Sequence, residues 1–269
     1  MQAFDDSSAI LRHAGAMLRD WRLRRQLSQR ELATSIGLST RALGGLETGR
    51  FLPDRDVVLR LAERLEVPLR DRNAILIAAG YDAAFPQWFL DDPVLTDIRA
   101  TIDRAVNGHA PYPALALDRR WAIVTANGPL RTLIAGVEPG LLSAPINWAR
   151  VTLHPAGLAP RIANLRDWRS HIVRRLQQQF DATGDAAVAD LLEEIGDYPN
   201  PPRSDPNRTP DPVAVPLSLM TVDGLLRFHG VTSVFKSATD VTLAELTIET
   251  FYPADAETAS LMARPTASG

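Results

Sequence analysis

Gln29, Ala33, Gly37, Leu43 and Leu46 carry the most specific chemical signal in the sequence. They fall at relative positions 1, 5, 9, 15 and 18, a helix-turn-helix register. Ala33 is small enough for two helices to cross closely. Gly37 can take the positive φ that a tight turn demands. Leu43 and Leu46 anchor the second helix to a core and leave its other face free. Such a helix can enter a DNA major groove while the first crosses the backbone. A small helical bundle would satisfy the same spacing. The cap signals Ser28-x-x-Glu31 and Ser39, each placed to open a helix, favour the DNA-binding reading.

Catalytic chemistry is absent from the motifs. The chain contains no cysteine, which excludes disulfides, thiolate metal sites, iron–sulfur clusters and cysteine nucleophiles. It has no phosphate loop, no dinucleotide glycine motif, no Gly-x-Ser-x-Gly and no His-x-x-x-His. Five scattered histidines with no cysteine argue against heme. We expect no enzyme, no metal and no cofactor. No apolar run reaches the roughly 18 residues of a membrane span. Asp5, Asp6 and Arg12 stand where a signal peptide would be apolar, so a cytoplasmic protein is expected.

The elements that must position these residues divide a chain of 269 residues, enough for one large or two ordinary domains. Residues 1–80 are mildly basic, with 13 Arg against 10 Asp or Glu, ahead of an acidic remainder. That asymmetry suits a polyanion-binding module carried by another domain. Ile10, Ala14, Met17, Leu18 and Trp21 recur at helical spacing. Four shorter helices follow, opened near Ser28, Ser39, Pro53 and Pro68, the last ending near Gly80. Residues 81–111 read as a connector with a helix from about Val94 to Val106. Its Leu95, Ile98, Ile102 and Val106 would pack within the chain or on a second subunit. Beyond it, Tyr112–Leu117, Trp121–Thr125, Val213–Met220, Leu225–Val234 and Val241–Phe251 read as strands. Helices are expected at Asp167–Phe180 and Asp185–Ile195, and seven prolines from Pro199 to Pro216 mark a surface loop. The expected architecture is two domains: an all-α five-helix head, then an α+β domain with a five-stranded antiparallel sheet and helices on a face.

Ser28-Gln29-Arg30-Glu31-Leu32-Ala33, Gly37-Leu38-Ser39, Leu46-Glu47-Thr48-Gly49-Arg50 and Pro53 together resemble the Xre/Cro-type repressor head. The resemblance implies a phosphate contact from Gln29 and exposed recognition positions at Thr40, Arg41 and Gly44, with Ser39 at the cap. Arg50 matches a backbone-contacting position, and Glu47 one that braces the fold. The chain departs from that family at Gly44-Gly45, where side chains able to reach bases are usual. Arg41 then carries much of any direct readout, to guanine; the alternative for it is a phosphate contact.

Pro113-Ala114-Leu115-Ala116-Leu117-Asp118-Arg119-x-Trp121, Thr125-Ala126-Asn127, His154-Pro155-x-Gly157-Leu158, Asp240-Val241-Thr242-Leu243-Ala244-Glu245-Leu246 and Tyr252-Pro253-Ala254-Asp255 resemble the sensor half of the MmyB-like regulators. The resemblance implies a PAS-like ligand-binding domain over 112–262, followed by a tail at 263–269. It implies a transcription factor that binds an operator in double-stranded DNA and encloses a small, largely apolar molecule, with fatty acids the leading class. Trp121, Ile146, Trp148, Ile172 and Phe228 are apolar candidates for the pocket, and each such residue is more often an ordinary core residue. Asn127, Asn147, Arg150 and His154 are donors for a carboxylate head group, His154 first because the family match falls on it. We expect a homodimer. The alternative is a C-terminal domain that serves only dimerisation or protein interaction.

Overall fold

Ala14, Leu18 and Trp21, spaced along one side of helix α1 (Gln2–Arg24), are all buried. The structure is a computed structural model and describes residues 2–51, 53–199, 215–235 and 239–264. The expected proline loop over 201–212, the first residues of the expected strand at Val213, the side chain of Ile10 and the tail from 265 lie outside the described residues.

Helix α2 (Gln29–Ser35) begins at a reciprocal cap. Ser28 Oγ accepts from the Glu31 amide at 3.2 Å, and the Glu31 carboxylate accepts from the Ser28 amide at 2.8 Å. Helix α3 (Thr40–Glu47) begins where Ser39 Oγ accepts from the Ala42 amide at 3.1 Å. Between them Gly37 has φ +74°, a value that a side chain would strain. Helices α4 (Arg55–Arg64) and α5 (Leu69–Ala78) complete the head. Its core joins Leu18, Leu32, Leu43, Val58, Leu61 and Ile75.

The chain divides into two compact units. The first runs to Trp88 and takes in residues 181–183 and 239–244; the second begins at Phe89. In the second unit Asp92 starts a short 3-10 turn that leads into α6 (Thr96–Asn107). Then come β1 (Ala114–Leu117), β2 (Ile123–Ala126), α7 (Gly128–Ile134), α8 (Trp148–Leu153), α9 (Leu165–Thr183) and α10 (Ala186–Asp197). The chain ends in β3 (Leu217–Thr221), β4 (Gly224–Val234), α11 (Val241–Ala244), β5 (Thr247–Pro253) and α12 (Ala256–Met262). The five strands form one antiparallel sheet in the order β2-β1-β5-β4-β3. Strand side chains alternate between faces. Leu115 and Leu117 therefore meet the main core, with residues from α7 to α10. Ala114 and Ala116 meet Ile102 and Val106 of α6 on the other face. Both faces of β1 are covered, and all four of its residues are buried.

Several elements differ from the sequence expectation. Val241–Ala244 is helical, and the strand expected from Val241 starts at Thr247. Asp240 is the reason: its Oδ1 accepts from the Leu243 amide and its carbonyl from the Ala244 amide, both at 3.0 Å. The strand expected from Trp121 starts at Ile123. The Asp118 carboxylate accepts from the Arg120 and Ala122 amides at 2.8 and 2.9 Å, closing a turn in which Trp121 has φ +64°. Helices α7, α8 and α12 were not anticipated. Each is too short to show a period, and each starts at an Asn or Asp whose side chain accepts from an amide of the first turn.

Candidate nucleic-acid interface and ligand cavity

The helix-turn-helix is braced from behind by a buried ion pair. Arg22 donates through Nε to Glu47 Oε1 at 2.6 Å and through a terminal nitrogen to Oε2 at 2.8 Å. The other terminal nitrogen of Arg22 donates to the Leu27 carbonyl at 2.8 Å. Gln29 Nε2 donates to Glu47 Oε2 at 2.8 Å. The end of α1, the start of α2 and the end of α3 are thus joined by groups that cannot be separated without leaving a buried charge unpaired. The helices also meet at backbone distance: a Cβ on Gly15 would lie 2.2 Å from the Leu46 carbonyl oxygen.

Leu43, Leu46 and Glu47 face inward on α3, and the opposite face is open. Ser39, Thr40, Arg41 and Thr48 are exposed there, Gly44 is half-buried beside the Gln29 amide, and Arg50 is exposed just beyond the helix. The structure brings Ser39, Thr40, Arg41 and Gly44 onto α3 or its cap, with Gln29 against Gly44. Thr48 and Phe51 on the same side were not anticipated. Phe51 is an aromatic in a loop, and no local pattern says which helix its ring meets.

In the second unit an apolar gap of about 10 Å³ lies between the sheet and helices α7 and α8. All ten lining residues are apolar, among them Leu130, Ile134, Trp148, Leu219, Phe228 and Phe251. The space is narrow and would admit about one water-sized sphere. Of the pocket candidates, Trp148 and Phe228 line it. Trp121 and Ile172 are buried in the same core but not on its wall, and Ile146 packs against that core half-buried. The Trp121 indole donates to Gln179 Oε1 at 2.8 Å, with the Arg175 guanidinium 4.9 Å from its ring.

The polar candidates do not converge on this space. Asn127 is 1 % exposed and makes four hydrogen bonds. Its oxygen accepts from the Ala114 and Leu130 amides at 3.0 and 3.1 Å, and its nitrogen donates to the Val106 and Tyr112 carbonyls at 3.2 and 2.8 Å. Asn147 caps α8 and donates to the Arg120 carbonyl at 2.8 Å. Arg150 is bidentate on Glu194 of α10. Tyr198 donates to the same carboxylate at 2.5 Å. The Arg150 hydrogen bond holds Glu194 below the usual carboxylate range; burial and the bond to Glu194 push the Tyr198 phenol up. His154 Nδ1 accepts from the Ala156 amide at 3.0 Å, and its ring meets Tyr198 edge-on at 5.1 Å. Arg150 and His154 are therefore neighbours, gathered around Glu194 and Tyr198. Among the described residues no group of acidic and histidine side chains could hold a metal ion, and no helix is long and apolar enough to cross a membrane.

Residues 98–264 match the family described as the MmyB-like transcription regulator ligand binding domain, and residues 18–71 match a helix-turn-helix family. Over 74 residues the chain is 31% identical to the ImmF control region 10 kDa protein of Bacillus phage phi105; the match spans 26% of this chain and 82% of the phage protein.

Proposed function

The chain belongs to the MmyB-like transcription regulators, with a helix-turn-helix head, and from that premise we propose that a fatty acid bound in its second unit alters operator binding by its first. The observation that carries the reading is a narrow, all-apolar gap between sheet and helices in the same chain as a recognition helix with an open, arginine-bearing face. In this reading α3 enters the major groove with Arg41 toward guanine or phosphate, Ser39 and Thr40 at the groove edge, and Gln29 and Arg50 on the backbone. Gly44 presents no side chain there, which allows close approach. Two copies act as a homodimer in the cytoplasm, because one head covers about half a site.

An acyl chain must part α7 and α8 from the sheet to enter, so its affinity is lowered by the cost of that opening. The narrowness of the space favours a second reading, in which side chains fill the interior and the unit serves only dimerisation or protein interaction. Native mass spectrometry of the purified protein, repeated after organic extraction and addition of saturated fatty acids, separates the two. Bound or reloaded acyl chains support the first. A protein that carries none and takes up none supports the second.

A further inference from the structure

The outward face of α3 is less bare than its two glycines suggest. At about 100° per residue, Arg41, Gly44, Gly45 and Thr48 share the face opposite Leu43, Leu46 and Glu47. Arg41 and Thr48 are exposed, yet Gly45 is buried. Phe51 buries it. A Cβ on Gly45 would lie 2.2 Å from Cε1 and 2.6 Å from Cζ of that ring, so only glycine leaves room for the aromatic side chain.

The end of the helix places the ring there. The Gly49 amide donates to the Leu46 carbonyl at 3.0 Å and the Arg50 amide to the Gly45 carbonyl at 2.9 Å. Gly49 has φ +67°. This is the paired closure of a helix terminus by a left-handed residue, and it turns the chain back along the helix. Phe51, two residues beyond Gly49, lands on Gly45. The ring is not sealed in the core: Phe51 is 46 % exposed. A half-exposed aromatic ring therefore stands beside Arg41 on the face that, on the reading above, enters the groove.

We propose that Phe51 is a base-contacting, specificity-determining residue that recognises the 5-methyl group of thymine in the major groove. The inference rests on the reading that α3 lies in that groove. Thymine is the base that offers an apolar group there, and an aromatic side chain is a suitable partner for it. Gly45 and Phe51 act together: the glycine gives up its own side chain, and the phenyl ring takes its place on the helix surface.

The test begins with duplexes selected by the full-length protein from a random-sequence pool. In a selected duplex each thymine is replaced in turn by deoxyuridine, which removes only the methyl group. Wild-type protein should lose about fourfold in affinity at one or more of these positions, the ratio that ~0.8 kcal/mol for one buried methyl implies. F51A should bind the selected duplex more weakly, show no further loss at those positions, and keep the wild-type salt dependence. F51L, which retains an apolar side chain, should keep part of the sensitivity. A wild-type protein indifferent to every replacement overturns the proposal without any variant. So does an F51A protein with the wild-type pattern of sensitivity, or one weakened equally on selected and unrelated duplexes. If the wild-type protein selects no sequence and binds no duplex, the DNA-binding reading itself fails, and that result is distinct from selective binding indifferent to the methyl group.

Discussion

Glu47 is nearly sealed from water and answers three donors at once, two from Arg22 and one from Gln29. Glu47→Ala leaves the Arg22 guanidinium buried and unpaired, which costs about 3–5 kcal/mol. Urea unfolding should show that loss, and Arg22→Met with Glu47→Leu should recover most of it, since an apolar pair carries no desolvation penalty. Arg50 has the opposite character. It is exposed beyond α3, so Arg50→Ala should leave stability unchanged and flatten the slope of log affinity against log salt by about one. An unaltered slope would remove it from the phosphate contacts. His171 gives a pH signature in the second unit. Burial first, then the nearby Arg175, holds its pKa below the ordinary value. The folded state then resists a proton that the unfolded chain accepts. Stability should therefore be full above the unfolded value of about 6.5 and fall as pH drops below it, a window above that of the carboxylates. His171→Gln should abolish that limb of the stability profile and leave the carboxylate limb in place.

At the level of elements, what could be read in advance was what is encoded within a few residues. Ser28 with Glu31, Ser39 with Ala42 and the turn at Gly37 are local arrangements, and the α2–α3 pair follows from them. The strand misread over Val241–Ala244 shows the limit. Val241-Thr242-Leu243 opens like a strand, and the Asp240 cap decides for a helix. The place of β5, between β1 and β4, depends on pairings far apart in the chain. The seat of Phe51 depends on a chain reversal rather than a period. Asn127 shows the same gap for the ligand site. Its residue type suits a head-group donor, but its four bonds join α7, whose Leu130 and Ile134 line the apolar space, to β1 and α6 on the other side of the sheet. Asn127→Ala orphans buried backbone groups, each costing about 1–3 kcal/mol. We expect lowered thermal stability of the second unit and faster amide exchange at Ala114 and Leu130, whose amides donate to Asn127. Exchange unchanged at both would mean that β1 and α7 are held together without this side chain.

For the whole molecule, regulation requires that ligand and operator each prefer one arrangement of the protein, and linkage then makes their effects on each other's affinity equal. The second unit supplies a route for such a preference. An acyl chain that widens the space beneath α7 pushes on the sheet at Phe228 and Phe251, and the opposite face of that sheet carries α6. Each methylene removed from water contributes about 0.8 kcal/mol, so affinity should rise about fourfold per added carbon. The opening cost is met once and does not grow with each carbon, so binding should become measurable only for longer chains and stop strengthening when the walls can part no further. Calorimetry across a series of saturated fatty acids should show that step and plateau, with a negative heat-capacity change that marks apolar burial. The same series in an operator-binding assay should change DNA affinity by the factor by which operator changes fatty-acid affinity. Affinity independent of chain length would end the acyl-cavity reading. Length-dependent binding with unaltered operator affinity would leave a lipid-binding unit that does not regulate.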